Sequence, residues 1–133
     1  MPFKLKKYRG IDWIPLSRIH YETSKILFEN KGDLGVVCFH LHQGIEKMLK
    51  GYIVIETGEL IESHSITELL AIASNISSEL LRFREDAPFI NTFYIQERYP
   101  GEDPIWVKPR DVCYAMRIYK EINSIILEDI QVI

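Results

Sequence analysis

No CxxC pair, no glycine-rich loop leading into a lysine, no chelating pair of histidines and no apolar run of membrane-spanning length occurs in this sequence. Each absence removes a class of function. The two cysteines, Cys38 and Cys113, stand alone in apolar, helix-like surroundings, and no secretory apolar region precedes them. Such surroundings raise a thiol's pKa, so neither is a nucleophile, and both are expected as buried thiols in a reducing cytoplasm. Phosphate loops of the GxxxxGK type are missing, because Gly32 and Gly35 lead into Val36, Val37 and Cys38. His40 and His42 are two apart, roughly 200° around a helix axis, and cannot grip one metal ion. No metal or cofactor is therefore expected. No apolar stretch reaches the ~18 residues a membrane span requires. Basic excess is missing too: a net charge of -3 and a pI near 5.8 argue against wrapping DNA or RNA. The run Lys4, Lys6, Lys7 and Arg9 is short enough to be a solvated tail over residues 1–11.

What is present is helical periodicity. The 133 residues, 47% of them apolar, suit one domain with a modest core. In the first segment Trp13, Leu16, Ile19, Ile26 and Leu27 recur at helical spacing. Asp12 offers a cap, Pro15 falls in the tolerated first turn, and Gly32 closes the segment. From about Asp33 to Glu56 a longer helix places Val37, Leu41, Ile45, Met48, Tyr52 and Ile55 on one stripe and stops before Gly58. The β-branched run Ile53 to Ile55 continues that stripe unbroken and so reads as helix rather than strand. Ser65, three residues before Glu68, forms a capping box for a shorter helix that turns Ile66, Leu69, Leu70, Ala73 and Ile76 inward. A fourth helical pattern from Glu79 to Tyr99 must break or kink at Pro88. Pro109 then opens a last helix with Val112, Ala115, Met116, Tyr119, Ile122 and Ile126 on one side. These elements predict an all-α fold, an antiparallel up-and-down bundle of four to five helices.

Two polar clusters carry the chemistry. His40, Gln43, Lys47 and Lys50 follow one another at spacings of three and four, and Glu46 stands four residues before Lys50 in the favourable order for an ion pair. Taken alone this is a solvated helix face. "ERYPG" ends the fourth helical pattern, with Tyr94 and Arg98 on one face and Tyr99 and Pro100 terminating it.

Taken together, "FHLHQGIEKMLKGYIV", "SHSITELL" and "YIQERYPG", in that order and over roughly Asp12 to Ile130, resemble the HEPN family. Gln43, Glu46, Lys47, Lys50, His64, Leu69, Arg98, Tyr99 and Pro100 carry the resemblance. It implies a helical bundle, often dimeric, serving either as an RNA-cutting toxin or as the companion of a minimal nucleotidyltransferase. The toxin branch places a His four to six positions after an Arg on one helix, so that Arg steadies the phosphate and His moves the 2′-OH proton. Arg9, Arg18, Arg82, Arg84, Arg98, Arg110 and Arg117 all lack a His at that spacing. The reading that follows is a homodimeric, non-catalytic partner of a separate nucleotidyltransferase chain. It would bind a nucleotide or phosphate-bearing ligand through Lys47, Lys50, His64, Arg98 and Tyr99, with Tyr99 or Trp106 offering a ring to a base. Two alternatives stay open, a metal-independent RNase toxin with a rearranged site and a purely structural dimerisation module. His64 likewise permits two roles, satisfying backbone groups at the start of the third helix or approaching Arg98 across the bundle.

Overall fold

The computed structural model describes residues 10–98 and 107–130, and of residues 95–98 only the backbone. Five α-helices follow in order: α1 (Gly10–Glu29), α2 (Leu34–Thr57), α3 (Ile66–Ser74), α4 (Ala87–Arg98) and α5 (Pro109–Ile130), with a 3₁₀ segment Ser78–Phe83 between α3 and α4. No strand occurs among the described residues. The helix boundaries follow the local chemistry. Asp33 caps α2 by accepting a hydrogen bond from the Val36 N–H, and Gly58 ends it in the left-handed region at φ 78°. Ser65 Oγ accepts the Glu68 N–H at the start of α3. Pro88 falls in the first turn of α4, where its missing N–H costs nothing, so the expected break lies just ahead of it. The first helix ends differently from the expectation. Lys31, not Gly32, takes the left-handed conformation at φ 61°, while the Gly32 N–H returns 2.6 Å to the Leu27 carbonyl. Helix α1 also begins at Gly10, inside the stretch read as a tail.

Helix α2 is the axis of the molecule. It packs against α1, α3, α4 and α5, and Val37, Leu41, Ile45, Met48 and Tyr52 are at most 1% exposed. Full burial of such side chains contributes about 1.5–3 kcal/mol each. From α5 come Val112, Ala115, Ile118, Tyr119, Ile122 and Ile126, and the α3 to α4 region adds Leu69, Leu80, Ile90 and Phe93.

The pairing of α1 with α2 departs from the sequence pattern. The face of α1 turned inward is Gly10, Ile14, Ser17, Tyr21 and Ser24, while Leu16, Ile19 and Ile26 stay exposed. Close approach is the reason. A Cβ at Gly51 would stand 2.9 Å from Trp13 Cβ, and one at Gly44 would stand 3.3 Å from the Ser17 carbonyl oxygen, so α1 lies almost on the backbone of α2. Only small residues fit such a crossing. Ser17 Oγ donates to the Gly44 carbonyl at 2.6 Å across it. Two further expectations fail. Cys38 is buried, with its thiol pushed up to about 12 chiefly by burial, but Cys113 is exposed, one step round α5 from the Val112 and Ala115 face. Ile55, placed on the α2 stripe, is 37% exposed at the helix end.

Candidate functional site

Much of the polar face of α2, which the sequence alone presents as solvated, is covered in the fold, by Trp13 of α1 over Lys47 and Lys50 and by His64 and Tyr94 beside Glu46 and His42. Gln43 is 8%, Glu46 1% and Lys50 7% exposed, and His42 is fully buried. A carboxylate so deep is tolerated only with full hydrogen-bonded partnership. Glu46 has it. Its Oε2 accepts from Lys50 Nζ at 2.8 Å and from His64 Nδ1 at 3.1 Å, and Gln43 Nε2 lies 3.5 Å from Oε1. Lys47 Nζ in turn donates to Gln43 Oε1 at 2.8 Å. Burial alone would raise the Glu46 pKa, but the Lys50 hydrogen bond and the Lys50 and Lys47 charges outweigh it and hold the carboxyl below its usual range. Burial lowers the pKa of Lys47, against the pull of Glu46.

The segment after Gly58 brings His64 over this carboxylate. His42 Nε2 reaches the His64 carbonyl oxygen at 3.0 Å, which fixes the buried imidazole as the Nε2–H tautomer, with Nδ1 left to accept from Gln43 Nε2 at 3.4 Å. Burial pushes His42 down to about 4, so it is neutral at neutral pH. The His64 ring does not satisfy the start of α3, a task done by Ser65 Oγ. It turns back to Glu46 instead, with its side chain 56% exposed. Tyr94 of α4 stacks on it at 4.8 Å between centroids and 14° between planes. From α1 the Trp13 ring comes under Lys47 and Lys50, whose ammonium groups stand 6.0 and 5.8 Å from its centroid. One turn of α2 away, His20 and His40 meet Nδ1 to Nδ1 at 3.0 Å. Burial, with Lys47 and His40 nearby, pushes His20 down to about 4.

Of the residues singled out from the sequence, Lys47, Lys50 and His64 therefore gather around Glu46. Arg98 is the last residue of α4, one helical turn beyond Tyr94, and its side chain, together with Tyr99 and Trp106, lies outside the described residues. Sequence reasoning missed Trp13, Tyr94 and His42 as members of the cluster. Tyr94 had a signal, its place one turn before Arg98, whereas Trp13 is joined to the site only by the helix crossing. No group of three or more His, Cys, Asp or Glu among the described residues is placed to hold a metal ion. No helix among them is long and apolar enough to cross a membrane.

The sequence model of the HEPN domain matches residues 12–130. The chain belongs to the HEPN family. Its fold is shared with the crystal structure of TT1696 from Thermus thermophilus, at a TM-score of 0.75 over 90% of this chain and 97% of that one, with 24% sequence identity. No curated protein matches the chain closely enough to count as a relative. Within the HEPN fold the Glu46 cluster joins four elements, with α2 providing the charges, α1 and α4 the aromatic walls, and the link before α3 a half-exposed imidazole.

Proposed function

We propose that this HEPN protein acts as the non-catalytic partner of a separate nucleotidyltransferase chain and holds a nucleotide or phosphate-bearing ligand at the Glu46 cluster. The observation that supports this reading is the charge left over once Glu46 is counted. Lys50 is matched by the carboxylate, while Lys47 is bonded to a neutral amide, so the cluster keeps one cation, which stands over the Trp13 ring, and it also holds the stacked rings of Tyr94 and His64. Cations hold phosphate and rings hold a base. Arg98, one turn beyond Tyr94, is the natural second cation.

Melting curves with and without ATP and GTP test this, on the wild type and on Lys47→Gln, Arg98→Ala and Arg98→Lys. Loss of Lys47 or Arg98 should weaken nucleotide binding by about 1–3 kcal/mol, the usual cost of a charge-assisted hydrogen bond, with helix content unchanged. Co-expression with nucleotidyltransferase frames from the same genome tests the partner. No nucleotide response and no complex would remove the proposal.

One observation favours a second reading, the RNase with a rearranged site. Glu46 grips His64 at Nδ1, the arrangement that leaves Nε2 to exchange a substrate proton. A ribonuclease assay on the pure protein separates the two. Cleavage of single-stranded RNA that vanishes in both His64→Ala and Arg98→Ala would favour the enzyme.

A further inference from the structure

His20 of α1 and His40 of α2 meet across the helix crossing with Nδ1 3.0 Å from Nδ1, their ring centroids 5.2 Å apart and their planes tilted by 31°. Both residues are half-buried, so solvent reaches the pair. As the pair stands, one ring donates its Nδ1–H to the other, whose own hydrogen is on Nε2. If the donating ring moves that hydrogen to its Nε2, both Nδ1 atoms carry lone pairs at the same place, and no net proton is released. Two neutral imidazole nitrogens in that state are metal ligands. Their separation says which ions fit. With metal–nitrogen bonds of about 2.0–2.1 Å, nitrogens 3.0 Å apart subtend an angle of about 90–97° at the metal, whereas a tetrahedral site would hold them about 3.3 Å apart. A right angle suits the tetragonal geometry that Cu(II) and Ni(II) take with nitrogen and oxygen ligands.

We propose that His20 and His40 together chelate one divalent transition cation of tetragonal preference, Cu(II) or Ni(II), with water completing its shell. His40 cannot share an ion with His42, because the two point to different sides of one helix. It can share one with His20, because the crossing of α1 and α2 turns both rings to the same point. His20 is already neutral at neutral pH, so protons compete little for it. The nearby charges nearly cancel in their effect on a bound cation, Lys47 opposing it and Glu46 favouring it. With two protein ligands rather than three or four, the affinity should be modest. A bound ion would tie α1 to α2 at a point where only a hydrogen bond now joins these two rings. This site is independent of any ligand at the Glu46 cluster.

Isothermal titration of the full chain with Ni(II) and with Cu(II), circular dichroism serving as the control on folding, tests it. One ion should bind per chain with a Kd below ~1 mM, and Mg(II), which prefers oxygen ligands, should not bind. His20→Gln and His40→Gln should each weaken binding by at least about tenfold, since even groups that merely support a metal ligand cost that much when lost. His64→Ala and Cys113→Ser, which remove an exposed ring and an exposed thiol elsewhere, should leave the affinity unchanged. Because the ion joins α1 to α2 only in the folded chain, Ni(II) should raise the melting temperature of the wild type and of neither His20→Gln nor His40→Gln. In electron spin resonance, Cu(II) on the wild type should show coupling to two nitrogens, which a pair that only shares a hydrogen bond would not give. No binding of either ion below ~1 mM overturns the proposal. So does an affinity that survives in both histidine variants, which would put the metal elsewhere, or a Cu(II) spectrum with a single coupled nitrogen.

Discussion

His64 and Glu46, 18 residues apart in sequence, meet at 3.1 Å on the same carboxylate oxygen that accepts Lys50 at 2.8 Å. One oxygen thus ties the link before α3 to the middle of α2. Glu46→Gln keeps the shape but removes the charge, leaving Lys50, only 7% exposed, as a poorly matched buried cation. The expected cost is about 2–4 kcal/mol in urea unfolding at neutral pH. In a double-mutant cycle Glu46→Gln and Lys50→Met should couple by more than ~1 kcal/mol. Additive effects would mean that the pair contributes nothing beyond its separate parts.

Stability should fall as the solution is acidified from pH 7 to 4. His42 and His20 are held neutral, their pKa values lowered from 6.5 to about 4. Between those values the unfolded chain takes up protons that the folded chain refuses. Their contribution is therefore complete above about pH 7 and drains away through that window. For the fully buried His42 the loss is of order 2–3 kcal/mol, and for the partly exposed His20 it is smaller. The depressed Glu46 acts in the same direction, losing its contribution as the pH drops through its lowered folded value. Denaturant titrations at pH 7, 6, 5 and 4 measure the slope. His42→Asn should flatten it, even though the variant is less stable at pH 7.

Gly51→Ala tests the closeness of α1 and α2. The added methyl would sit 2.9 Å from Trp13 Cβ and 3.2 Å from the Gly10 carbonyl oxygen. Neither can swing away as a side-chain tip can, so the helices must part. A loss of about 1–3 kcal/mol is expected, against the gain that alanine normally gives inside a helix. A neutral or stabilising outcome in thermal melts would show that the crossing is looser than described.

Lys31→Gly should raise stability. Lys31 holds φ 61° where α1 ends, a conformation that costs a side chain about 1–2 kcal/mol and glycine almost nothing. Allowing for the greater freedom of glycine in the unfolded chain, a net gain of about 0.5–1 kcal/mol is expected from chemical denaturation. Unchanged or lower stability would indicate that the Lys31 side chain stabilises the fold through other contacts.

How much of this was legible depended on whether the deciding physics was local. The ends of α2 and α3 were, because Asp33, Gly58 and Ser65 act on backbone groups within a few residues of themselves. The α2 and α5 stripes were legible because one helical period puts Leu41, Ile45 and Met48, or Val112, Tyr119 and Ile126, on a single side. The inward side of α1 was not, since Ser17 and Ser24 look polar on their own and only a neighbouring backbone makes them the better packing surface. For the same reason Lys47 and Lys50 read as wet, because nothing within α2 says that another helix lies over them. Two glycines seven residues apart, Gly44 and Gly51, were the available signal for that crossing. The links from Trp13 to the lysines, from His20 to His40 and from Tyr94 to His64 join separate elements, and no spacing within one helix encodes them.

The placing of Trp13 under two ammonium groups has an optical consequence. Indole emission responds to charge close to the ring, and this ring has Lys47 and Lys50 within 6.0 Å of its centroid. The chain's other tryptophan is Trp106. With Trp106 replaced by phenylalanine and excitation confined to the indole band, beyond the reach of the tyrosines, fluorescence would come from Trp13 alone, at the crossing of α1 and α2. Any anion that drew the lysines off the ring would then register as a change in colour or intensity, with no label attached, and a titration could follow the cluster while the rest of the bundle stayed dark.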